Sequence, residues 1–397
     1  MYIRSWRNNT LRIFDLLGII MLAVFWYGLV PVIGGFVSRH SWRMFRQRFD
    51  DLRLKPLLNY GAYRHIAGKG GIYRFIGGFE STDDHTLWIR SETLTIPVAL
   101  AGAHTYMLPM TEGGEIPESF DPSEEVPERI RWDQVSALAE GAKVFVGGPV
   151  ALRDERWTFV STPEQPLLLI FYDGPDRALT LRAIRAGRDR NEYWNFLTPY
   201  AFILGAFFEI LIAASFLPRP AFRLTGITAF IFLFTPVFPL IPPGIVCTVF
   251  YRRLWWRARI LRAYRDLARL PLKYLAPGAR ERPLPDGERY GGVYYDSLPL
   301  EATEKPIPLL IPEPEGHKIG WYIFGALPEE GALGADTLPQ EPRDPCATFG
   351  AIPGNPEKLA RGFTFKAYVL EIISCLFLGA GIGISLFFIG LMVFMLV

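Results

Sequence analysis

Glu209 is the residue whose type and surroundings best suit a chemical role, because it is a carboxylate near the middle of an apolar stretch, YAFILGAFFEILIAASFL. A carboxylate at mid-membrane depth is costly, so it either pairs with another group or carries a proton. One interpretation is a proton or ion relay, or a polar contact that holds a neighbouring span. The other is structural, a hydrogen bond to a Ser, Thr or backbone group in a helical bundle.

A proline cluster is the second candidate for a functional feature inside an apolar segment. Its members are Pro236, Pro239, Pro242 and Pro243. Each proline removes a backbone donor and clashes with the preceding turn, so a straight helix is not expected. The segment is either a kinked span or two short helices joined by a turn, or it is a discontinuous helix that lines a substrate site, as in transporters.

The remaining residues that could do chemistry form no catalytic or metal-binding pattern. The five histidines lack metal-ligand spacing, and Asp83-Asp84-His85 near His104, the best cluster, is interpreted as a turn. GxSxG, HExxH, CxxC and phosphate-loop motifs are absent from the sequence. We therefore predict no catalytic residues, no metal site and no cofactor, and keep a membrane-bound enzyme with an unrecognised site as an alternative.

Four apolar segments are long enough, or nearly so, to cross a bilayer as helices. They are residues 14–36, 198–217, 224–250 and 368–397. The last contains Gly379 and Gly383 in a GxxxG arrangement, which would allow close helix contact. The sequence thus predicts a multi-pass α-helical membrane protein with about four spans.

Charge is segregated along the chain, although the net charge is only +2. Arginines gather beside the spans, on the flanks of the two large hydrophilic regions, whereas Asp and Glu gather in loops. Basic residues near spans favour the cytoplasmic side. We therefore expect a cell membrane protein with both hydrophilic regions in the cytoplasm.

Two basic stretches with aromatic stripes, residues 39–56 and 251–271, are predicted to be amphipathic helices. Such helices suit the headgroup layer, where aromatic rings enter the acyl boundary and arginines meet anionic lipid. The candidate headgroup contacts are Trp42, Arg43, Arg46, Trp256, Arg259 and Arg262. The alternative is that the stripes pack on the soluble domains of the chain. Nucleic-acid binding is not favoured, because topology explains arginines beside a membrane.

The hydrophilic region at residues 60–195 has short β-branched and aromatic runs bounded by Gly, Pro and Asp, which predict a mainly β domain. The expected strands are at residues 72–76, 86–89, 143–146, 157–160 and 167–171. The fold is a small barrel, with an OB-type barrel included, or a sandwich. Within it, residues 112–128 form an acidic, proline-rich loop. Residues 276–361 predict a smaller Pro/Gly-rich α/β region, which either is a reduced copy of the first domain or packs on it as an added layer. Its strands are expected at residues 290–295 and 319–324, and Asn355 is expected to cap the helix that leads into the last span.

A repeated phrase ends both basic stretches, at residues 51–57 (DLRLKPL) and 266–272 (DLARLPL). The membrane-proximal parts of the two halves are similar, but the soluble parts are not. The leading functional hypothesis is a non-enzymatic scaffold whose β domain binds a protein partner or a second copy of the chain. The alternative is a small transporter or channel component built around Glu209 and the proline-broken segment.

Overall fold

The computed structural model describes residues 14, 17–66, 70–83, 85–108, 128–130, 142–188, 193–236, 244–275, 279–284, 287–298, 307–312, 320–328 and 338–396. The chain divides into two compact units. The helical unit comprises Met1–Ser41, Arg190–Leu261 and Phe365–Val397, and the β unit comprises Trp42–Asp189 and Arg262–Thr364. Each unit is assembled from segments that are distant in sequence.

Helices occur in both units. They are α1 (Leu17–Arg53), α2 (Tyr60–Arg64), α3 (Ala178–Arg185), α4 (Thr198–Phe216), α5 (Arg223–Phe232), α6 (Gly244–Tyr274) and α7 (Pro356–Leu396), with a short 3₁₀ turn at Pro220–Phe222. The start of α7 was predicted from the sequence, because Asn355 was expected to cap it. Its Oδ1 accepts hydrogen bonds from the backbone nitrogens of Glu357 at 3.0 Å and Lys358 at 3.1 Å.

Three helices, α1, α4 and α7, are long and apolar enough to cross a membrane. Many of their large apolar side chains are exposed, including Met21 at 72%, Ile203 at 67% and Leu376 at 67%. Water-soluble proteins rarely leave contiguous apolar surface uncovered on this scale, whereas a bilayer covers it. The length and composition of these helices therefore support a membrane protein.

Residues 224–250, predicted as a further span broken by prolines, do not form a long helix. α5 ends at Phe232, a turn runs through Pro236, and α6 begins at Gly244. α5 has 10 residues, about half of what a bilayer core requires. The described chain therefore has three long apolar helices where four spans were expected. Proline, which cannot donate the helical hydrogen bond, accounts for the break. Pro239, Pro242 and Pro243 lie outside the described residues.

The β unit contains a large mixed sheet. Its strands are β1 (Gly71–Asp83), β2 (Thr86–Arg90), β3 (Thr95–Ala99), β4 (His104–Leu108), β5 (Glu128–Ile130), β6 (Lys143–Arg153), β7 (Arg156–Phe159) and β8 (Leu168–Tyr172). The order is β1-β2-β3-β7-β6-β8-β4-β5, and β1 also pairs with β6. Five strands, β1, β2, β3, β7 and β6, therefore close into a barrel. The pairs β3–β7 and β4–β8 are parallel.

β1 closes the barrel because it pairs with two strands in succession. Its residues 71–78 pair with β6 and its residues 78–83 pair with β2, with a register shift between Phe79 and Ser81. Such a shift bends the strand and lets it turn a corner. The similar sequences at residues 75–78 and 145–148 lie side by side in this closure, since Ile76 is opposite Phe145.

Five strands of the large sheet were predicted from their composition and are confirmed, namely β1, β2, β6, β7 and β8. β3 was missed because Pro97 interrupts its pattern, although Pro97 is accommodated opposite Trp88. The acidic loop at residues 112–128 lies outside the described residues except for Glu128, which begins β5.

A second, antiparallel sheet forms in the later part of the β unit. Its strands are β9 (Glu281–Pro283), β10 (Arg289–Tyr295), β11 (Trp321–Leu327) and β12 (Gly350–Pro353), in the order β12-β11-β10-β9. β10 and β11 had been predicted. Both hydrophilic regions belong to one compact unit, in agreement with the alternative that the second packs on the first as an added layer.

The aromatic stripe of residues 39–56 packs on protein. Trp42, Phe45, Phe49 and Leu52 of α1 are buried in one cluster with the outer face of the large sheet and with Leu179 of α3. The side of α1 that was expected in the headgroup layer therefore forms part of the core of the β unit. The helical spacing of the apolar residues identified the stripe. The same spacing is expected for a helix at a lipid boundary and for a helix on a protein core, so it could not distinguish the two.

The repeated phrase ends its helix only in the first copy. α1 ends at Arg53, before Pro56, whereas α6 continues past Pro271 to Tyr274. Leu267, Leu270 and Tyr274 of α6 are buried in a third cluster with the second sheet. Packing of that face compensates for the hydrogen bond that Pro271 cannot donate.

Candidate functional site

Glu209 lies on the buried stripe of α4, together with Ala201, Gly205 and Ala213. These residues are spaced by four, so they share one face of the helix. Glu209 is completely buried, and neither carboxylate oxygen has a hydrogen-bond partner among the described residues. A buried carboxylate without a partner is unfavourable, so this position calls for an explanation.

Tyr27 of α1 contacts the same stripe one turn from Glu209. A Cβ atom on Gly205 would come within 2.8 Å of Tyr27 Cε1, so the two helices touch at this glycine. The Tyr27 hydroxyl is buried and also has no hydrogen-bond partner in the described part of the chain. A tyrosine inside the first apolar segment was the one sign of this residue in the sequence, and it was not recognised as a site.

Pro31 accounts for the irregular winding of α1 beside this polar spot. Residues Val24–Leu29 are π-helical. Pro31 has no N–H to donate to the carbonyl of Tyr27, four residues earlier. The Tyr193 hydroxyl donates to that carbonyl instead, at 2.5 Å. π-helical turns of this kind often occur at functional sites.

Asn195 holds the same part of α1. Its Nδ2 donates to the Pro31 carbonyl at 2.7 Å, while its Oδ1 accepts from the Leu197 backbone N–H at 2.9 Å near the start of α4. Gly34 permits this approach, because a Cβ atom there would lie 2.1 Å from Asn195 Oδ1. Asn195 therefore couples the break in α1 to the beginning of the helix that carries Glu209.

The GxxxG glycines of α7 make no close helix contact with the part of the chain that the structure describes. A Cβ atom on Gly379 or Gly383 would meet no atom within 4 Å. Gly381 is the glycine in contact, since its Cβ would lie 3.3 Å from Cys247 Cβ of α6. Two residues along a helix correspond to a rotation of about 200°, so the contacting face is nearly opposite to the predicted one.

The six candidate headgroup contacts divide by burial. Trp42 and Arg259 are buried, which corrects their prediction as headgroup contacts. Arg46 is half-buried and donates to the Ala186 carbonyl at 2.6 Å. Arg262 is also half-buried, whereas Arg43 and Trp256 are exposed. Arg259 ion-pairs with Glu371 of α7 at 3.9 Å and lies 4.4 Å above the Trp255 ring.

The β unit contains an open groove of about 1130 Å³ beside the bend of β1. Leu58, Phe75 and Phe79 line it as buried apolar residues. Gly77 lines the groove, and the close approach of the neighbouring strand leaves no room there for a side chain. A Cβ atom at this position would lie 2.4 Å from the Arg90 carbonyl oxygen. None of these lining residues was singled out from the sequence as a site, because the groove forms only when distant strands meet.

Charged residues of both signs surround the groove. The cations are Arg90, Lys143, Arg177 and Arg343, and the carboxylates are Glu80, Glu92 and Asp176. Each cation is paired: Arg90 with Glu80 at 3.7 Å, Lys143 with Asp176 at 2.8 Å, Arg343 with Glu288 at 3.2 Å, and Arg177 with Glu341. Asp176 also accepts from the Tyr172 hydroxyl at 3.1 Å, and burial raises the pKa of Tyr172. The rim is thus a set of salt bridges rather than a surface of one charge.

A buried ionic network lies near the repeated phrases. Arg74 of β1 makes a two-pronged bond to Asp344, with distances of 2.8 and 2.5 Å. Tyr274 of α6 donates to the same carboxylate at 3.1 Å, and the Cys346 backbone N–H donates to it at 3.0 Å. Burial raises the pKa of the Cys346 thiol and of the Tyr274 hydroxyl. Arg53 adds a bond from Nε to Asp50 at 2.7 Å.

The network extends to the first residue of the second phrase. Asp266 ion-pairs with Arg188 and Arg265. Burial alone would raise the pKa of Asp266, but these two arginines hold it below its ordinary value. Because every charge in these networks has an opposite charge beside it, we interpret them as structural.

No group of three or more His, Cys, Asp or Glu side chains among the described residues is arranged to hold a metal ion. The two arrangements that remain as candidate sites are the Glu209–Tyr27 spot of the helical unit and the groove of the β unit. The first can exchange a proton or hold a small polar species, and the second can hold a ligand of considerable size.

No family model matches this chain, and neither does any curated protein or solved structure with which it was compared.

Proposed function

We propose that this chain is a non-enzymatic membrane scaffold in which the groove of the β unit binds an extended segment of a protein partner. The groove is the observation that carries the proposal. Its volume of about 1130 Å³ exceeds the roughly 300–1,000 Å³ of most small-molecule pockets. An open groove of that size suits a length of polypeptide better than a small metabolite.

The lining of the groove supports a peptide of mixed character. Phe75 and Phe79 offer apolar contact, and the rim offers carboxylates and cations that are already paired. Nucleic acid is less well suited, because its recognition depends on an excess of unpaired cations. Paired rim charges contribute more to specificity than to affinity.

The surrounding architecture is part of the same proposal. The five-stranded closure with its bent first strand is of the OB type. In this proposal the apolar segment at residues 224–250 supplies a fourth crossing of the membrane. The β unit then faces the cytoplasm at the cell membrane, as the arginines beside the spans favour. The OB-type barrel is an argument for a binding surface and does not identify the partner.

Photo-crosslinking from inside the groove tests the proposal. A photo-reactive amino acid at Thr93, which lines the groove, is expected to capture one protein, and the same group at Leu152, which is exposed outside it, is not. A synthetic peptide that spans the crosslinked segment should bind the purified full-length chain. Thr93→Trp should weaken this binding at least tenfold, and Leu152→Trp should leave it unchanged.

Equal capture from both positions, or peptide binding that Thr93→Trp does not affect, would contradict the proposal. Capture of a second copy of this chain would make the groove a self-association surface and would also overturn the assignment of a separate partner.

A second candidate function, a proton- or ion-coupled transporter component, is favoured by Glu209. Its two oxygens are buried without a partner beside the unpartnered Tyr27 hydroxyl. Glu209→Gln should then abolish proton- or ion-driven flux in reconstituted vesicles without lowering the amount of folded protein. A fully active Glu209→Gln variant would remove this candidate.

A further inference from the structure

α6 carries a compact basic surface, which shares Trp256 with the headgroup contacts predicted from the sequence but has different arginines. Arg252, Arg253, Trp256 and Arg257 are all exposed. Because Arg252 and Trp256, and likewise Arg253 and Arg257, are four residues apart, the four side chains share one face over little more than one helical turn. We call this set the α6 basic face.

The opposite face of α6 is fixed by contacts with α7 in the helical unit. Tyr251 and Ala258 are buried. Cys247, four residues before Tyr251 and on the same side of α6, faces Gly381 of α7. These contacts hold α6 in one rotation about its axis, so the α6 basic face points away from α7.

The same exposed side of α6 is apolar at the start of the helix. Ile245, Val246 and Val249 are exposed at 41%, 51% and 41%. From Val249 to Trp256 the helix rises by about 10 Å. Over this distance the surface of α6 changes from apolar to cationic, and Trp256 lies among the cationic residues. Membrane proteins show the same order of side chains where the hydrocarbon layer meets the lipid headgroups.

The arginines of the α6 basic face have no counter-charge among the described residues. Neither Arg252, Arg253 nor Arg257 forms an ion pair or hydrogen bond to a described residue, in contrast to Arg259 at the edge of this face, which is buried and pairs with Glu371 at 3.9 Å. Arg265 and Arg188, further along the chain, are also paired. Three exposed guanidinium groups without carboxylate partners leave their donors available to an anion from outside the chain.

We propose that the α6 basic face is a binding site for an anionic phospholipid. The lipid phosphate accepts hydrogen bonds from the guanidinium groups, whose planar donors match phosphate oxygens. Trp256 lies at the level of the glycerol and carbonyl groups, and the acyl chains lie along Ile245, Val246 and Val249. The site is in the helical unit and is independent of the groove of the β unit.

Native mass spectrometry of the purified full-length protein tests this proposal. The probe is phosphatidylglycerol added to the detergent solution, with phosphatidylcholine as the neutral lipid and sn-glycerol 1-phosphate as a free phosphate without acyl chains. The wild-type protein should retain phosphatidylglycerol in preference to both. Each surface arginine contributes roughly a fivefold effect, so R252Q/R253Q should lose at least tenfold in apparent affinity.

The matched control is R219Q/R223Q, which removes two exposed arginines elsewhere in the helical unit. It should retain phosphatidylglycerol as the wild-type protein does. The charge-conserving R252K/R253K variant should lose less than the glutamine variant does. Thermal unfolding of each variant checks that the protein remains folded.

Three results would overturn the site. One is undiminished binding by folded R252Q/R253Q, and another is an equal loss in R219Q/R223Q, which would indicate a general effect of charge. The third is equal retention of phosphatidylcholine. Strong binding of glycerol phosphate alone would assign the arginines to a soluble phosphate compound rather than to a lipid.

Discussion

The buried pair of Arg74 and Asp344 shows how single residues determine the β unit. Both side chains are almost completely buried, and Tyr274 and the backbone at Cys346 add further hydrogen bonds to the carboxylate. A buried pair contributes little net stability over an apolar replacement, but the loss of one member leaves an unpaired charge in the core. The pair therefore joins β1 to the loop that precedes β12, 270 residues further along the chain.

Arg74→Met should lower the free energy of unfolding by about 3–5 kcal/mol, because Asp344 remains buried without its main partner. Chemical denaturation of the full-length protein, followed by labelling of the buried Cys346, measures this loss. Arg74→Met/Asp344→Leu should recover part of it.

The matched control is Arg90→Gln, which breaks an exposed pair with Glu80 and should cost less than about 1 kcal/mol. If Arg74→Met lowered the free energy of unfolding no more than Arg90→Gln does, the stability of the β unit would not depend on the buried pair.

His104 at the start of β4 makes the β unit sensitive to mild acid. Burial lowers the pKa of His104, and Arg129 and Arg48 lower it further. The unfolded chain then binds the proton more readily than the folded chain does. Stability is therefore unaffected well above pH 6.5 and declines as the pH falls below the unfolded pKa of about 6.5.

His104→Asn should reduce the decline in melting temperature between pH 7.5 and pH 5.5, measured by thermal unfolding in detergent. The exposed His65→Asn serves as the comparison and should leave the decline as in the wild-type protein. An identical slope for wild-type protein and His104→Asn would show that other groups cause the acid sensitivity.

At the scale of elements, α1 shows how one irregularity is accommodated by its neighbours. Pro31 leaves the Tyr27 carbonyl without its helical donor, the winding changes to π, and Tyr193 supplies the missing hydrogen bond. Inside a membrane there is no water to replace such a bond. The contact of Tyr193 with α1 is thus a consequence of proline chemistry.

Tyr193→Phe should destabilise the helical unit by about 0.6–2 kcal/mol, because the Tyr27 carbonyl loses its donor. In the background of Pro31→Ala, residue 31 regains an N–H that can serve the carbonyl, so the same Tyr193→Phe change should cost less. Thermal unfolding of the four proteins in this double-mutant cycle measures the coupling. Additive effects of the two substitutions would contradict the account.

At the scale of the whole molecule, the two units divide the surface by chemistry. The helical unit exposes apolar side chains, and the β unit exposes charged pairs and a groove. We expect the β unit to lie in the cytoplasm, because the arginines near the spans lie on its flanks. The charge pattern and the proposed fourth crossing then put the C-terminus outside.

Labelling of single cysteines tests this topology in a cysteine-free background. Val397→Cys should react with a membrane-impermeant maleimide in sealed, right-side-out membranes. Glu155→Cys, in the exposed turn between β6 and β7, should react only after permeabilisation. Reaction of Val397→Cys only after permeabilisation would overturn the proposed orientation.

The membrane character and most strands of the β unit could be predicted because both depend on local composition, whereas strands such as β3, which Pro97 interrupts, were missed. What each apolar face of a helix packs against could not be predicted. The stripe from Trp42 to Leu52 has the same period whether it meets lipid or the sheet, and GxxxG does not reveal that Gly381 is the glycine in contact. Glu209 was recognised by its type, but Tyr27 reaches the buried stripe of α4 only by packing between segments that are distant in sequence. The contacts of Tyr193 and Asn195 with α1 depend on the same packing.

The division of the β unit between two stretches of chain has a consequence for biosynthesis. The ion pair of Arg74 cannot form until Asp344 has been synthesised. Asp344 is 270 residues further along the chain, beyond the apolar helix α4. At about 5–20 residues per second, synthesis of that length takes on the order of tens of seconds. During this time the core cluster of the large sheet lacks Cys346 of the later stretch, so we expect the nascent first stretch to expose apolar surface until that stretch has been made.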